Sequence, residues 1–173
     1  MKGVIVLCTK EMVEKKFGRE KWLEALKNAG IDKEPRVLPI SDVEDHLLLT
    51  VVQSICHVMG IGLKEFGELF GDYWVNEYSQ RLYKVYYDNA KDARDFLLMM
   101  DDVHVNMTKG MENAKPPRFL YEWKDNKTLV ITYLSQRHLI DIMVGLIKAV
   151  GKFYGEKLEV KKLSDDKVEV VFS

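Results

Sequence analysis

The stretch that decides the fold runs from residue 118 to 172, RFLYEWKDNKTLVITYLSQRHLIDIMVGLIKAVGKFYGEKLEVKKLSDDKVEVVF. Residues 118–123 and 128–134 are rich in aromatic and β-branched side chains, and Asp125-Asn126 between them is a turn signal. Residues 157–163 and 167–172 repeat the pattern around Ser164-Asp165-Asp166. Residues 137–154 carry a helical period instead. Leu139, Ile142, Met143, Leu146, Val150 and Phe153 form one apolar stripe, and Ile140, Val144 and Ile147 form a second. A helix apolar on most of its circumference is buried on two sides. Strand, strand, helix, strand, strand predicts a four-stranded antiparallel sheet with a helix packed on it.

Upstream of Pro116-Pro117 the chain reads as helical. Residues 2–17 fit a helix slightly better than a strand, and residues 19–29 form a helix closed by Gly30. Pro35 and Pro39 mark residues 31–40 as a loop. Ser41 and Glu44 form a capping box that opens a helix running to about Gly60. A short helix over 63–70 is closed by Gly71, residues 73–87 are dense in aromatics, and Asp92 caps a long helix reaching about Met111. The expectation is an α+β protein, one domain over 1–173, with a helical N-terminal lobe and a C-terminal lobe built on the sheet. Pro116-Pro117 then reads as a rigid junction.

Composition narrows the function. The chain is 47% hydrophobic and 31% charged, which argues against disorder. Twenty-six basic against 27 acidic residues leave no basic excess for nucleic acid or an anionic membrane surface. No apolar run is long enough to span a bilayer. Two cysteines, Cys8 and Cys56, outside any Cys-x-x-Cys pair suggest a reducing compartment, hence the cytoplasm.

Few residues carry chemistry. On a helix, His104 shares a stripe with Phe96, Met100, Val103, Met107 and Met111. An imidazole there is either a satisfied core histidine or a ligand for something buried, such as haem iron, and periodicity does not separate the two. Tyr133, Ser135 and Arg137 form Y-x-S-x-R at a strand end. Alternation puts two hydroxyls and a guanidinium on one face, a clamp for carboxylates or phosphate, or else a solvent-facing edge with a capping serine. Cys56-His57 point apart on a helix, and Asp101-Asp102 and Asp165-Asp166 read as solvated faces or turns. Trp74 and Tyr78 share a helix face and read as core.

Taken together, the initial M-K-G, F-L-L-M-M-D-D-V-H, P-P-R and Y-L-S-Q-R resemble, in that order, the haem-nitric oxide/oxygen-binding (H-NOX) domains, which include bacterial gas sensors and the haem domain of soluble guanylate cyclase. The resemblance covers essentially the whole chain and implies haem b between the two lobes. It makes His104 the proximal iron ligand and Tyr133, Ser135 and Arg137 the propionate clamp. It makes Pro117 a residue that presses on the haem, and sets Ile5, Thr9, Trp74, Tyr78, Ile142 and Leu146 in the distal pocket. Oxygen-binding members carry a donor tyrosine where this chain has Ile142, so the resemblance implies an NO sensor, also able to take CO, that discriminates against O2. It implies a switch by release of His104 rather than catalysis. It also implies a signalling partner such as a histidine kinase, a cyclic-di-GMP enzyme or a chemotaxis transducer, with no nucleic acid bound and no direct membrane insertion. Alternatives are a haem sensor of O2, CO or redox state with Tyr78 or Trp74 as donor, a thiol sensor at Cys8 or Cys56, a haem enzyme, and a haem-free interaction domain.

Overall fold

The computed structural model describes residues 2–111 and 114–173. Among the described residues there are seven α-helices: α1 (Gly3–Phe17), α2 (Arg19–Asn28), α3 (Asp45–Met59), α4 (Leu63–Tyr73), α5 (Gln80–Asp88), α6 (Ala93–Thr108) and α7 (Ile140–Phe153). The strands are β1 (Arg118–Trp123), β2 (Thr128–Leu134), β3 (Glu159–Lys162) and β4 (Lys167–Val171). They form one antiparallel sheet of order β1-β2-β4-β3. The α+β class with its four-stranded sheet and packed helix is therefore as the sequence implies. The chain divides into two compact units between Phe66 and Gly67, inside α4, so the helices over 67–108 group with the sheet instead of parting from it at Pro116-Pro117.

In the first unit, α1, α2 and α3 bury Cys8, Met12, Val13, Trp22, Leu26, Val51 and Ile55. The Ser54 hydroxyl donates to the Ala25 carbonyl at 2.6 Å and joins α3 to α2. Ser41 does not open a capping box. Its hydroxyl accepts the Leu38 N–H at 3.0 Å, its carbonyl accepts the Gly3 N–H at 2.8 Å, and α3 begins only at Asp45. The loop over 31–44 thus satisfies orphan donors at the start of α1. That approach needs Gly3, where a Cβ would stand 2.0 Å from the Leu38 carbonyl oxygen.

In the second unit, α7 supplies Ile140, Met143, Val144, Ile147 and Val150 to a core shared with Leu129, Ile131, Val168, Val170 and Phe172 of the sheet. Its other side meets α4 backbone to backbone. A Cβ on Gly71 would lie 2.4 Å from the Gly145 carbonyl carbon, and one on Gly145 would lie 2.0 Å from the Gly67 carbonyl oxygen. Gly71 is therefore a packing glycine, not the helix stop expected of it. Past it the chain continues into a π-helical turn, Trp74–Tyr78, in which the Ser79 N–H reaches the Trp74 carbonyl at 2.8 Å. The helix α7 starts at Ile140, three residues later than the apolar pattern suggested, because His138 sits in the left-handed region at φ 52. Among the described residues no single helix is long and apolar enough to cross a membrane.

Replacing Gly71 or Gly145 with Ala should destabilise the protein by about 1–3 kcal/mol or more, lowering Tm by roughly 2–4 °C per kcal/mol. Nothing lies within 4 Å of a Cβ built on Gly62, so Gly62→Ala should cost less than about 1 kcal/mol. Thermal denaturation of the three variants checks the contrast.

Candidate functional site

The helix α6 carries His104. Its start is fixed twice: the Asp92 carboxylate accepts the Asp95 N–H at 2.7 Å, and Glu156 accepts the Ala93 N–H at 2.9 Å. The expected cap is present, and the helix ends at Thr108, short of Met111. Further along, the Tyr121 hydroxyl of β1 donates to the Leu97 carbonyl at 2.8 Å, and burial pushes that phenol up to about 12.

The His104 imidazole is half-buried, with Nδ1 2.7 Å from the Met100 carbonyl oxygen. A carbonyl only accepts, so Nδ1 carries the hydrogen and Nε2 carries the lone pair. Burial lowers the imidazole's pKa from its ordinary value, against smaller opposing effects of the Met100 bond and the Asp101 charge. The ring is therefore neutral at pH 7. A neutral imidazole with its Nδ1–H held by a backbone carbonyl is the donor state a transition metal needs from Nε2. On this observation the residues present fit a haem iron.

Phe119 meets the imidazole at a ring distance of 5.5 Å and 65°, and its other neighbour is Tyr133 at 6.0 Å. Tyr133 is buried on β2. The alternation that would align it with Ser135 and Arg137 ends at Leu134. Ser135 and Arg137 lie in the turn before α7, where the Ser135 hydroxyl accepts the Arg137 N–H at 3.3 Å. The Arg137 guanidinium donates to the Lys115 carbonyl at 2.7 Å, beside Pro116 and the half-buried Pro117.

Trp74 and Tyr78 lie in the π-turn as parts of a ladder, Phe70–Trp74 at 6.0 Å and Trp74–Tyr78 at 5.8 Å. Tyr78 is buried beneath the Arg81 guanidinium, 4.6 Å from its ring centroid. Ile142 and Leu146 are half-buried on α7, either side of Gly145. In the first unit, Ile5 is half-buried on α1 and Thr9 is buried, its hydroxyl donating to the Ile5 carbonyl at 2.8 Å. Cys8 is fully buried and so lacks the exposure of a reactive thiol, and burial raises the Cys56 thiol rather than activating it.

Sequence reasoning missed Asp101, which it assigned to a solvated face. The Asp101 carboxylate accepts from Arg118 Nε at 2.8 Å, Arg118 Nη2 at 2.7 Å and the Phe119 N–H at 2.8 Å. The available signal was its place three residues before His104, on the same helix face. The Arg118 guanidinium, outweighing a desolvation cost, pulls the Asp101 carboxyl down to about 2.

A family model described as Haem-NO-binding matches residues 2–162. Among curated proteins, soluble guanylate cyclase gcy-34 of Caenorhabditis elegans is 23% identical over 157 residues. The match covers 88% of this chain but only 23% of that protein. Solved structures share the fold. An oxygen-binding H-NOX domain related to soluble guanylate cyclases, in its oxygen complex, gives a TM-score of 0.84 at 24% identity, over 100% of this chain and 95% of the other. The I5F mutant of T. Tengcongensis H-NOX gives 0.85 at 24% identity, over 100% and 98%. The Fe(II) unliganded A71G mutant of the H-NOX protein from K. algicida gives 0.86 at 20% identity, over 100% and 96%.

The Asp101 pair has a pH signature. A carboxyl whose folded pKa lies below its unfolded value stabilises the fold above the unfolded value and loses that contribution as pH falls through the folded one. Between about pH 4 and pH 2 the stability of the protein should fall, and Asp101→Asn should flatten that part of the profile. Denaturant titrations across this range check it.

Proposed function

The chain belongs to the Haem-NO-binding family of haem-based gas sensors, and on that footing we propose that it senses NO, discriminates against O2 and signals by releasing His104. The observation that carries this reading is the neutral His104 imidazole, tied by Nδ1 to Met100 and left with Nε2 for a metal. Bound haem b supplies a ferrous iron with one position for a protein ligand and one for a diatomic gas.

His104 takes the protein side. Tyr133, Ser135 and Arg137 pair the two propionates, a guanidinium and two hydroxyls against about two negative charges. Pro117 would bear on the bound ring. The family pattern would put Ile5 and Thr9, and likewise Trp74, Tyr78, Ile142 and Leu146, among the residues that meet the gas. O2 depends on a hydrogen-bond donor in a low-dielectric pocket far more than NO or CO does. Ile142 has none, and the Thr9 hydroxyl already donates to its own helix. Release of His104 frees the last turns of α6 to move against the strand that follows Pro116-Pro117, a two-state step that a ligand need bias by only a few kcal/mol. The domain so read is a sensor, not a catalyst. It works in the cytoplasm on a partner such as a histidine kinase, a cyclic-di-GMP enzyme or a chemotaxis transducer.

Absorption spectra of the ferrous protein under argon, NO and air test this directly. The expected results are a Soret band, an NO spectrum of iron that has lost His104, and no stable species in air. A stable oxygenated spectrum would reverse the selectivity and make Tyr78 or Trp74 the donor. Ile142→Tyr should add the missing donor and slow O2 loss roughly 10–100-fold, as expected for one hydrogen bond to a charged group. With His104→Gly and added imidazole, a partner should no longer distinguish NO from no NO. An undiminished response would sink the release mechanism.

A further inference from the structure

One carboxylate on α6 holds the first two residues of β1. Asp101 accepts both arms of the Arg118 fork and the Phe119 N–H, three bonds between 2.7 and 2.8 Å. A bidentate guanidinium–carboxylate pair fixes direction as well as distance. The Asp101 side chain is 17% exposed and the Arg118 side chain 56%, so the clasp is half-sheltered. A pair of that kind adds only about 0.2–1 kcal/mol to global stability, enough to show as a shallow acid limb. Its geometric effect is larger, because the third bond fixes the backbone of Phe119. The Phe119 ring stands between the His104 imidazole and the Tyr133 ring, at 5.5 and 6.0 Å. Asp101 thus sets the seam of α6 against β1 one helical turn before His104. On the far side of His104, the Thr108 hydroxyl returns to the His104 carbonyl at 2.7 Å, within the helix.

We propose that Asp101 is a positioning residue for His104: by clasping Arg118 and the Phe119 N–H it holds α6 against β1 and sets how readily His104 lets go of the iron. This rests on the haem-sensor reading above. The clasp resists movement of α6 until the gas arrives, and Phe119 transmits its state to both His104 and Tyr133.

The test uses the haem-loaded full chain with Asp101→Asn, Arg118→Gln, the double variant and Asp102→Asn, whose native carboxylate is exposed. Asparagine keeps an acceptor for the Phe119 N–H but loses the charge that holds Arg118. The readouts are the iron–histidine stretching frequency of the ferrous protein and the rate at which His104 is lost after NO is added. In Asp101→Asn the frequency should fall and the rate should rise roughly 2–30-fold, the range for one coupling residue. Arg118→Gln should move both the same way and less. The double variant should go no further than Asp101→Asn, since both changes break one clasp. Asp102→Asn should match the native protein. Unchanged frequency and rate in Asp101→Asn and Arg118→Gln, with a normal Soret band, would overturn the proposal and leave the haem reading standing. If Asp101→Asn fails to fold, Arg118→Gln decides alone. A native protein without a Soret band would overturn the haem reading and this proposal with it.

Discussion

The crossing of α4 on α7 is the constraint on which the second unit depends. Gly67, Gly71 and Gly145 bring two helix backbones together with no side chain between them. Apolar burial alone would not fix the rotation of α7, because that helix is apolar almost all round. The glycine contact does: it commits one side of α7 to α4 and leaves Ile140, Val144 and Ile147 for the core shared with the sheet. Lys148–Glu68 and Lys152–Asp72, each 2.6 Å, flank the crossing at the surface. The π-turn begins three residues past Gly71. A wider turn re-aims the side chains along it, where Trp74 stacks on Phe70 and Tyr78 on Trp74.

A second asymmetry runs along α6. Its first half is held by Asp92, Glu156, Tyr121 and Arg94, whose guanidinium lies 4.8 Å from the Trp123 ring and 5.0 Å from that of Phe172 and donates to the Asn126 carbonyl. Its last turns expose Val105 and Asn106. His104 sits where the tied half meets the loose half. A histidine placed further back would be packed into the core, and one further on would be open to solvent.

Much of this was legible because it follows from local pattern. The alternation of β1 and β2, the apolar girth of α7 and the Asp92 cap each depend on residues close in sequence. The ordered motifs around His104 and Tyr133 identified the family. What could not be read depends on partners far along the chain. Gly71 looked like a stop because its contact, Gly145, lies on another helix. Ser41 looked like a cap because its true donors, Leu38 and Gly3, are set by how the loop folds back. Asp101 looked solvated because the arginine that claims it follows Pro116-Pro117. The π-turn has no residue signature, and Ser135 and Arg137 left the strand because a turn overrode the alternation.

His138 is the one described residue other than glycine at positive φ. A side chain there costs on the order of 1 kcal/mol that glycine would avoid. Glycine would also leave the link between β2 and α7 with many more conformations to lose on folding. The chain therefore accepts a small local penalty and gains a stiff corner. Ser135 and Arg137 precede that corner, so the path by which the chain leaves β2 and enters α7 is set as it folds.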